Sequence, residues 1–145
     1  MQDPVAALLD RYDRRVPRYT SYPTAPHFSA AVGARDYRQW LASQDPAAPL
    51  SLYVHIPFCD SLCWFCGCHT KIVRRHQPIA QYLEVLYREV DLVAEAVGAR
   101  RGVCHLHFGG GSPSILTPAE VRALFDRLRS RFLLLPDADI AIEID

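Results

Sequence analysis

The last two thirds of the chain alternate between predicted strands and predicted helices, and this order limits the chain to one class of fold. Strands are predicted at 51–56, 103–108 and 139–145. Helices are predicted between them, over 78–97 and from the capping box that begins at Thr117. Long helical crossovers between strands are typical of right-handed βαβ units. The order therefore predicts an α/β fold with a parallel sheet.

The first 50 residues predict an irregular extension with short helices. Pro17, Pro23 and Pro26 exclude a continuous helix through residues 16–28 and favour an extended segment there. Short helices are predicted on either side of that segment, up to Tyr12 and over 34–43. We therefore separate an N-terminal extension, 1–50, from the α/β segment, 51–145.

The composition is that of a folded and electrically neutral domain. Of the 145 residues, 50% are hydrophobic and 22% are charged, and the formal net charge is zero. These values exclude a disordered chain and a nucleic-acid interface driven by bulk positive charge. No apolar run approaches the ~20 residues of a membrane span, and no signal-peptide pattern precedes the helices. We expect a cytoplasmic monomer that contacts neither membrane nor nucleic acid.

Four of the five cysteines lie close together after the first predicted strand, in the spacing Cys59-x3-Cys63-x2-Cys66-x-Cys68. Reduced thiols at such spacing indicate metal binding or redox chemistry. Thiolates are the standard protein ligands of iron–sulfur clusters. A structural zinc site is the alternative, because His69 could complete a Cys3His set. The fifth cysteine, Cys104, is expected to be a small buried core residue.

A glycine run and a glutamate mark the ends of the second and third predicted strands. Gly109 to Gly111 and Ser112 follow a strand at its carboxyl end, where α/β folds bind ligands, although a flexible turn is the alternative. Glu143 lies on the strand face opposite three isoleucines. It therefore points into the interior, where a ribose or an ammonium group could partner it, or else into solvent.

Alternation also places pairs of ring side chains on single strand faces. Tyr53 and His55 share one face of the first strand, and His55 is either functional or a hydrogen-bonded core residue. His105 and His107 share one face of the second strand. No carboxylate or thiol has a matching spacing, so these two are expected to serve packing only.

Taken together, the motifs resemble one family. YVHIPFCDSLCWFCGC at 53–68 resembles the cluster loop of the radical S-adenosylmethionine (SAM) enzymes, whose hallmark is CxxxCxxC. PRYTSYPTA at 17–25, FGGGSPS at 108–114 and the IEID strand are similar to the oxygen-independent coproporphyrinogen III oxidases. The resemblance covers nearly the whole chain. It implies a partial radical-SAM (β/α) barrel, with its first three parallel strands, after an irregular helical N-terminal extension.

The resemblance implies a ligand set for the cysteine loop. Cys59, Cys63 and Cys66 would bind a [4Fe–4S] cluster, and the remaining iron would chelate the amino and carboxylate groups of SAM. One electron from the reduced cluster would then split SAM into methionine and a 5′-deoxyadenosyl radical. Cys68 is not a ligand in this pattern, and we keep it with His55 as a candidate catalytic residue.

Two SAM molecules are implied, each with its own contacts. Tyr53, Gly110 and Glu143 would contact the molecule bound to the cluster. Phe65, Gly111 and Ser112 would contact the second molecule. These assignments come from the family motifs and not from the spacing of the residues.

The implied reaction is the oxidative decarboxylation of coproporphyrinogen III propionates to vinyl groups without oxygen, which forms protoporphyrinogen IX in haem and porphyrin biosynthesis. An electron donor for the cluster is the implied partner. The alternative is a haem chaperone or another haem-processing radical-SAM relative. Such chaperones typically carry Asp-Phe after the third cysteine, whereas this chain carries Gly67-Cys68.

The implied barrel is larger than the available sequence. About six βα units at roughly 30 residues each do not fit into 51–145. We therefore expect this chain to be the N-terminal portion of the enzyme and to be inactive by itself.

Overall fold

The computed structural model describes residues 4–13, 23–64, 66–98 and 100–144. The chain divides into two units, Met1–Gly33 and Ala34–Asp145. The first contains the helix α1, Pro4–Tyr12, and a 3-10 turn at Ala25–His27. The helix agrees with the predicted one, whereas most of the segment predicted as extended lies outside the described residues.

The second unit contains all the strands of the described chain. Its elements are α2 (Ala34–Ala42), β1 (Leu50–Ile56), β2 (Phe58–Cys59), β3 (Lys71–Ile72), α3 (Gln77–Val97), β4 (Gly102–Gly110), a 3-10 turn (Pro113–Ile115), α4 (Pro118–Arg131) and β5 (Leu133–Ile142). The main sheet is parallel in the order β1-β4-β5, which confirms the predicted α/β fold. Among the described helices, none combines the length and the apolar character that a membrane crossing requires.

Strand β5 differs from the prediction in both of its bounds. It begins at Leu133 instead of residue 139, and it ends at Ile142, so Glu143 follows the strand. Its pairing with β4 shifts between Val103 and His105, where the chain around Pro136 bulges out of the ladder. Proline has no N–H to donate, and for this reason the early part of the strand is not evident from the sequence.

The core lies between one face of the main sheet and helices α3 and α4. Alternation along β1 and β4 buries Val54, Ile56, Leu106 and Phe108 on this face. The helices contribute apolar residues at helical spacing: Ile79, Leu83, Leu86 and Val90 from α3, and Leu124 and Leu128 from α4. The expected amphipathic patterns of strands and helices are thus confirmed where these elements meet.

The isoleucines of β5 are more exposed than the sequence pattern indicates. Ile140 and Ile142 are 46% and 47% exposed, and Ile144 is 75% exposed. Within the described residues no helix follows β5. The apolar face of β5 is therefore only partly buried.

Arg101 is buried, although its pairing with Arg100 in the sequence is typical of a solvated surface. Its side chain is 6% exposed and donates hydrogen bonds to the carbonyl oxygens of Asp45 and Ala48, the latter at 2.6 Å. A guanidinium group is the donor best able to reach two carbonyls at once. Arg101 therefore ties the turn before β1 to the start of β4.

A capping box begins α4, as predicted. The Thr117 hydroxyl accepts a hydrogen bond from the Glu120 amide, and the Glu120 carboxylate accepts one from the Thr117 amide. Glu120 also accepts a hydrogen bond from Nε2 of His76, at 2.6 Å. Burial acts to raise the pKa of Glu120, but the hydrogen bonds from His76 and Thr117 outweigh it and lower that pKa. One carboxylate thus connects the starts of α3 and α4.

We predict that Leu106→Ala lowers the free energy of unfolding by about 2 to 5 kcal/mol, because Leu106 is 1% exposed and its removal leaves a cavity. The measurement is the urea midpoint of unfolding. The matched control is Leu92→Ala, since Leu92 is 58% exposed on α3 and should tolerate truncation. Equal midpoints for the two variants would contradict the assignment of the core.

Candidate functional site

The candidate site lies where β1 and β4 end side by side. Parallel pairing continues to Ile56 opposite Gly110. Beyond the strands, the Gly111 amide donates to the Ile56 carbonyl at 2.9 Å, and the Ser112 amide donates to the Phe58 carbonyl at 2.8 Å. These hydrogen bonds place the glycine run directly against the start of the cysteine loop.

The cysteine loop is closed by a short parallel sheet that was not predicted. β2 pairs with β3, so that Phe58 lies opposite Lys71 and Cys59 opposite Ile72. The Val73 amide donates to the Cys59 carbonyl at 3.0 Å. Two-residue strands are too short for a periodic signal in the sequence. The pairing holds the two ends of the loop together.

The four loop cysteines differ in exposure. Cys59 is buried, Cys63 and Cys66 are half-buried, Cys68 is exposed, and all four are free thiols. The Ser112 hydroxyl donates to the Cys59 sulfur at 3.6 Å. The pKa of Cys68 is raised, first by the charge of Cys66 and then by a hydrogen bond with it. Cys68 is therefore less ready to ionise than an isolated thiol.

The donor set fits an iron–sulfur cluster in its chemistry but is not gathered into a finished site. Closely spaced free thiols on one loop are the ligands that such clusters use. Within the part of the chain that the structure describes, no three His, Cys, Asp or Glu side chains are placed to hold a metal ion. Ligation would bring Cys59, Cys63 and Cys66 together on one cluster.

The sheet face opposite the core carries a polar cluster. Parallel register places Tyr53 beside His107, and the Glu143 amide donates to the Phe108 carbonyl at 2.9 Å. The Glu143 carboxylate accepts hydrogen bonds from His107 Nε2 and from the Gly110 amide, both at 3.1 Å. The bond from His107 is the main cause that lowers the pKa of Glu143. Glu143 is thus held as a carboxylate on this face.

His55 connects the polar face to the cysteine loop. Its Nε2 lies 3.1 Å from the His69 carbonyl, and its Nδ1 lies 3.0 Å from the Tyr53 hydroxyl. Because a carbonyl oxygen only accepts, Nε2 is the donor to His69, and Nδ1 is left to accept from the Tyr53 hydroxyl. Burial and the charge of Glu143 raise the pKa of Tyr53, which keeps its hydroxyl available as a donor.

At two positions of the glycine run, neighbouring atoms lie so close to the backbone that only glycine fits. A Cβ on Gly110 would lie 2.6 Å from the His55 ring, and Gly110 also has a φ of +114°, which disfavours other residues. A Cβ on Gly111 would lie 2.5 Å from the Phe58 carbonyl oxygen. The glycine run therefore allows β4 to lie close to β1 and to the start of the cysteine loop, and it is not simply a flexible turn.

Several predicted site residues are thus brought together at one end of the sheet. Tyr53, His55, Gly110 and Glu143 form the polar cluster, while Gly111, Ser112 and Cys59 lie at the start of the cysteine loop. The side chain of Ser112 is buried against Cys59. Phe65 lies outside the described residues, so its predicted contact stays a prediction.

His107 is the site residue that the sequence reasoning missed. We expected it to pack together with His105, but it donates to Glu143 and stacks on Tyr53, with ring centroids 5.7 Å apart. His105 contacts Cys104 instead. The signal that could have distinguished the two is register, because the partner of His107 directly follows β5 and its identity depends on the bulge in that strand.

Comparisons with known proteins point to one enzyme family. No protein-family model matches the chain. It is 52% identical over 133 residues to the oxygen-independent coproporphyrinogen III oxidase of Bradyrhizobium diazoefficiens, and 45% identical over 139 residues to that of Escherichia coli. These matches cover 92% and 96% of this chain. The chain spans 30% of the length of these curated relatives.

One solved structure shares the fold. It is the coproporphyrinogen III oxidase of Escherichia coli, described as a radical SAM enzyme, and it matches with a TM-score of 0.82 at 42% sequence identity. The match covers 96% of this chain and 30% of that structure. The described α/β unit is therefore a partial radical-SAM fold.

We predict that Gly110→Ala destabilises the protein more than Gly98→Ala does. Both glycines have positive φ, at +114° and +90°, so each substitution introduces backbone strain on the order of 1–3 kcal/mol. Only the new Cβ at position 110 meets a side chain, the His55 ring, whereas nothing lies within 4 Å at position 98. The urea midpoints of the two variants measure the difference.

The double variant Gly110→Ala with His55→Ala isolates the steric part of this effect. Removing the ring should make Gly110→Ala less destabilising than it is in the wild-type background. An unchanged effect of Gly110→Ala in the His55→Ala background would show that the ring does not approach this glycine.

Proposed function

Because this chain is homologous to the N-terminal portion of the oxygen-independent coproporphyrinogen III oxidases and has a partial radical-SAM fold, we propose that it belongs to an enzyme of that activity. The enzyme would convert propionate side chains of coproporphyrinogen III to vinyl groups. The observation that carries the proposal is the sequence identity of 41–52% to proteins of this name, over nearly the whole chain. The adjacent cysteine and glycine loops support it.

Cys59, Cys63 and Cys66 are the proposed ligands of a [4Fe–4S] cluster. Three protein ligands leave one iron with an open position, which a substrate-binding cluster needs. Cys59 is buried at the closed end of the loop, with the Ser112 hydroxyl on its sulfur. Hydrogen bonds to a ligand sulfur are one of the means by which a protein adjusts the reduction potential of such a cluster.

SAM is the proposed second cofactor, with one molecule at the cluster and a second one beside it. When bound, SAM and the reduced cluster supply a 5′-deoxyadenosyl radical that can remove hydrogen from an unactivated carbon. The Glu143 carboxylate would accept a hydrogen bond from the amino group of the first molecule, and Tyr53 and Gly110 would flank it. Phe65, Gly111 and Ser112 are proposed for the second molecule, and His55 and Cys68 remain candidate catalytic residues.

The rest of the proposed machinery needs partners beyond this chain. The cluster requires an external electron donor, and the substrate pocket would be completed by parts of the enzyme that this chain does not include, since the chain spans 30% of its relatives. Free thiols and a reducible cluster suit the reducing environment of the cytoplasm.

The proposed ligand set predicts which cysteines the cluster requires. After anaerobic reconstitution of the full-length protein, Cys59→Ala, Cys63→Ala and Cys66→Ala should each lose most of the bound iron and sulfide. Cys68→Ala and the matched control Cys104→Ala should retain both, because neither residue is a ligand. The measurements are iron and sulfide per chain and the visible absorption of the cluster.

Other results of this reconstitution would point to other functions. Zinc without sulfide, held by the same cysteines, would replace the cluster with a structural metal site. A cluster that forms while the protein binds haem and yields no vinyl product would favour the haem chaperone. Formation of protoporphyrinogen IX from coproporphyrinogen III, in the presence of SAM and a reductant, supports the oxidase.

A further inference from the structure

We propose that His107 is a positioning residue, which orients the Glu143 carboxylate and keeps it charged as an acceptor for the amino group of a bound SAM molecule. The inference rests on the proposed function, because it assigns a role toward the same ligand. It concerns a histidine that none of the sequence motifs above singles out. It is carried by the geometry around the carboxylate.

Both oxygens of the Glu143 carboxylate are held, each by one donor. His107 Nε2 reaches Oε1 and the Gly110 amide reaches Oε2, both at 3.1 Å. A carboxylate offers about four lone-pair sites, so each oxygen keeps capacity for a further donor. Two donors from one strand fix the plane of the group, and the open lone pairs can receive a cationic ligand.

The backbone beneath the carboxylate is shaped to accept it. A Cβ on Gly109 would lie 2.7 Å from Oε1 of Glu143, so a side chain at this position would displace the carboxylate. Parallel register places Gly109 opposite His55 on one side. The absence of a side chain on the middle strand thus lets Glu143 lie close to the sheet and within reach of His107.

His107 is itself held in place. Its ring stacks on Tyr53 with an interplanar angle of 23° and a centroid distance of 5.7 Å. Because Nε2 donates to a carboxylate, the proton is assigned to that nitrogen in both the neutral and the charged ring. His107 therefore offers Glu143 a donor at Nε2.

The experiment uses His107→Phe, which keeps a ring for the stack on Tyr53 and removes only the donor. His107→Gln is the conservative variant, because its amide nitrogen can donate from a similar distance along the side chain. His105→Phe is the matched control, since His105 lies on the same strand face but contacts Cys104 and pairs with Asp139 instead of Glu143.

The first readout is the affinity of the reconstituted full-length protein for SAM. His107→Phe should weaken binding about tenfold, the loss expected when one hydrogen bond to a charged group is removed. His107→Gln should recover most of this loss, and His105→Phe should bind like the wild type. Iron and sulfide per chain should be unchanged in all three variants.

The second readout is the titration of the Glu143 carboxyl, followed by the ¹³C shift of labelled glutamate in the protein before reconstitution and assigned from the signal lost in Glu143→Gln. The groups that face this carboxyl are His107 and the Gly110 amide from β4, His55 and Tyr53 from β1, and Cys68 from the cysteine loop. The pKa of Glu143 is lowered in the wild type. It should rise in His107→Phe and fall again in His107→Gln.

These readouts separate the two proposals. If the wild type binds SAM and His107→Phe binds it equally well, the role of His107 is wrong while the proposed function stands. If the wild type forms no cluster and binds no SAM, the proposed function fails, and the role of His107 toward SAM fails with it. An unchanged titration of Glu143 in His107→Phe overturns the inference independently of any cofactor.

Discussion

The parallel ladder between β1 and β4 is the constraint on which the rest of the site depends. It continues past the ends of both strands, through the hydrogen bonds from Gly111 to Ile56 and from Ser112 to Phe58. Parallel strands end at the same edge of a sheet, so whatever follows β1 must lie beside whatever follows β4. The cysteine loop and the glycine run meet for this reason, although about fifty residues of sequence separate them.

The same ladder divides the sheet into two chemically different faces. One face packs Val54, Ile56 and Leu106 against α3 and α4, and the other carries Tyr53, His107 and the Glu143 carboxylate. The packing of the buried face fixes the strands in place, and this fixes the positions of the side chains on the polar face. The hydrogen bond of 3.1 Å from His107 on β4 to Glu143, which follows β5, can be kept only when the two strands beneath it do not slide.

The cysteine loop has a base that strand pairing closes, and its proposed metal ligands differ in exposure. Its ends are closed by the pairing of β2 with β3, and Cys59 is buried at this closure. The other cysteines lie farther along the loop and are more exposed. The strand pairing therefore anchors the base of the loop at Cys59, while the more exposed Cys63 and Cys66 lie where a cluster inserted after folding could reach them.

Hydrophobic periodicity and motif chemistry determined much of this protein by themselves. They predicted the parallel α/β order, the capping box at Thr117, the donor set of the cysteine loop and the shared face of Tyr53 and His55. Such features are local, because strand alternation and helix capping depend on residues a few positions apart.

Only the tertiary structure decided which residues meet across strands. The burial of Arg101, the closure of the loop by β3, the early start of β5 and the bond from His107 to Glu143 all depend on contacts between segments that are distant in the sequence. A bulge of a few residues near Pro136 shifts the partners of β4, and no local pattern records such a shift. The sequence therefore predicted which side chains carry the chemistry, whereas only the tertiary structure determined which of them contact one another.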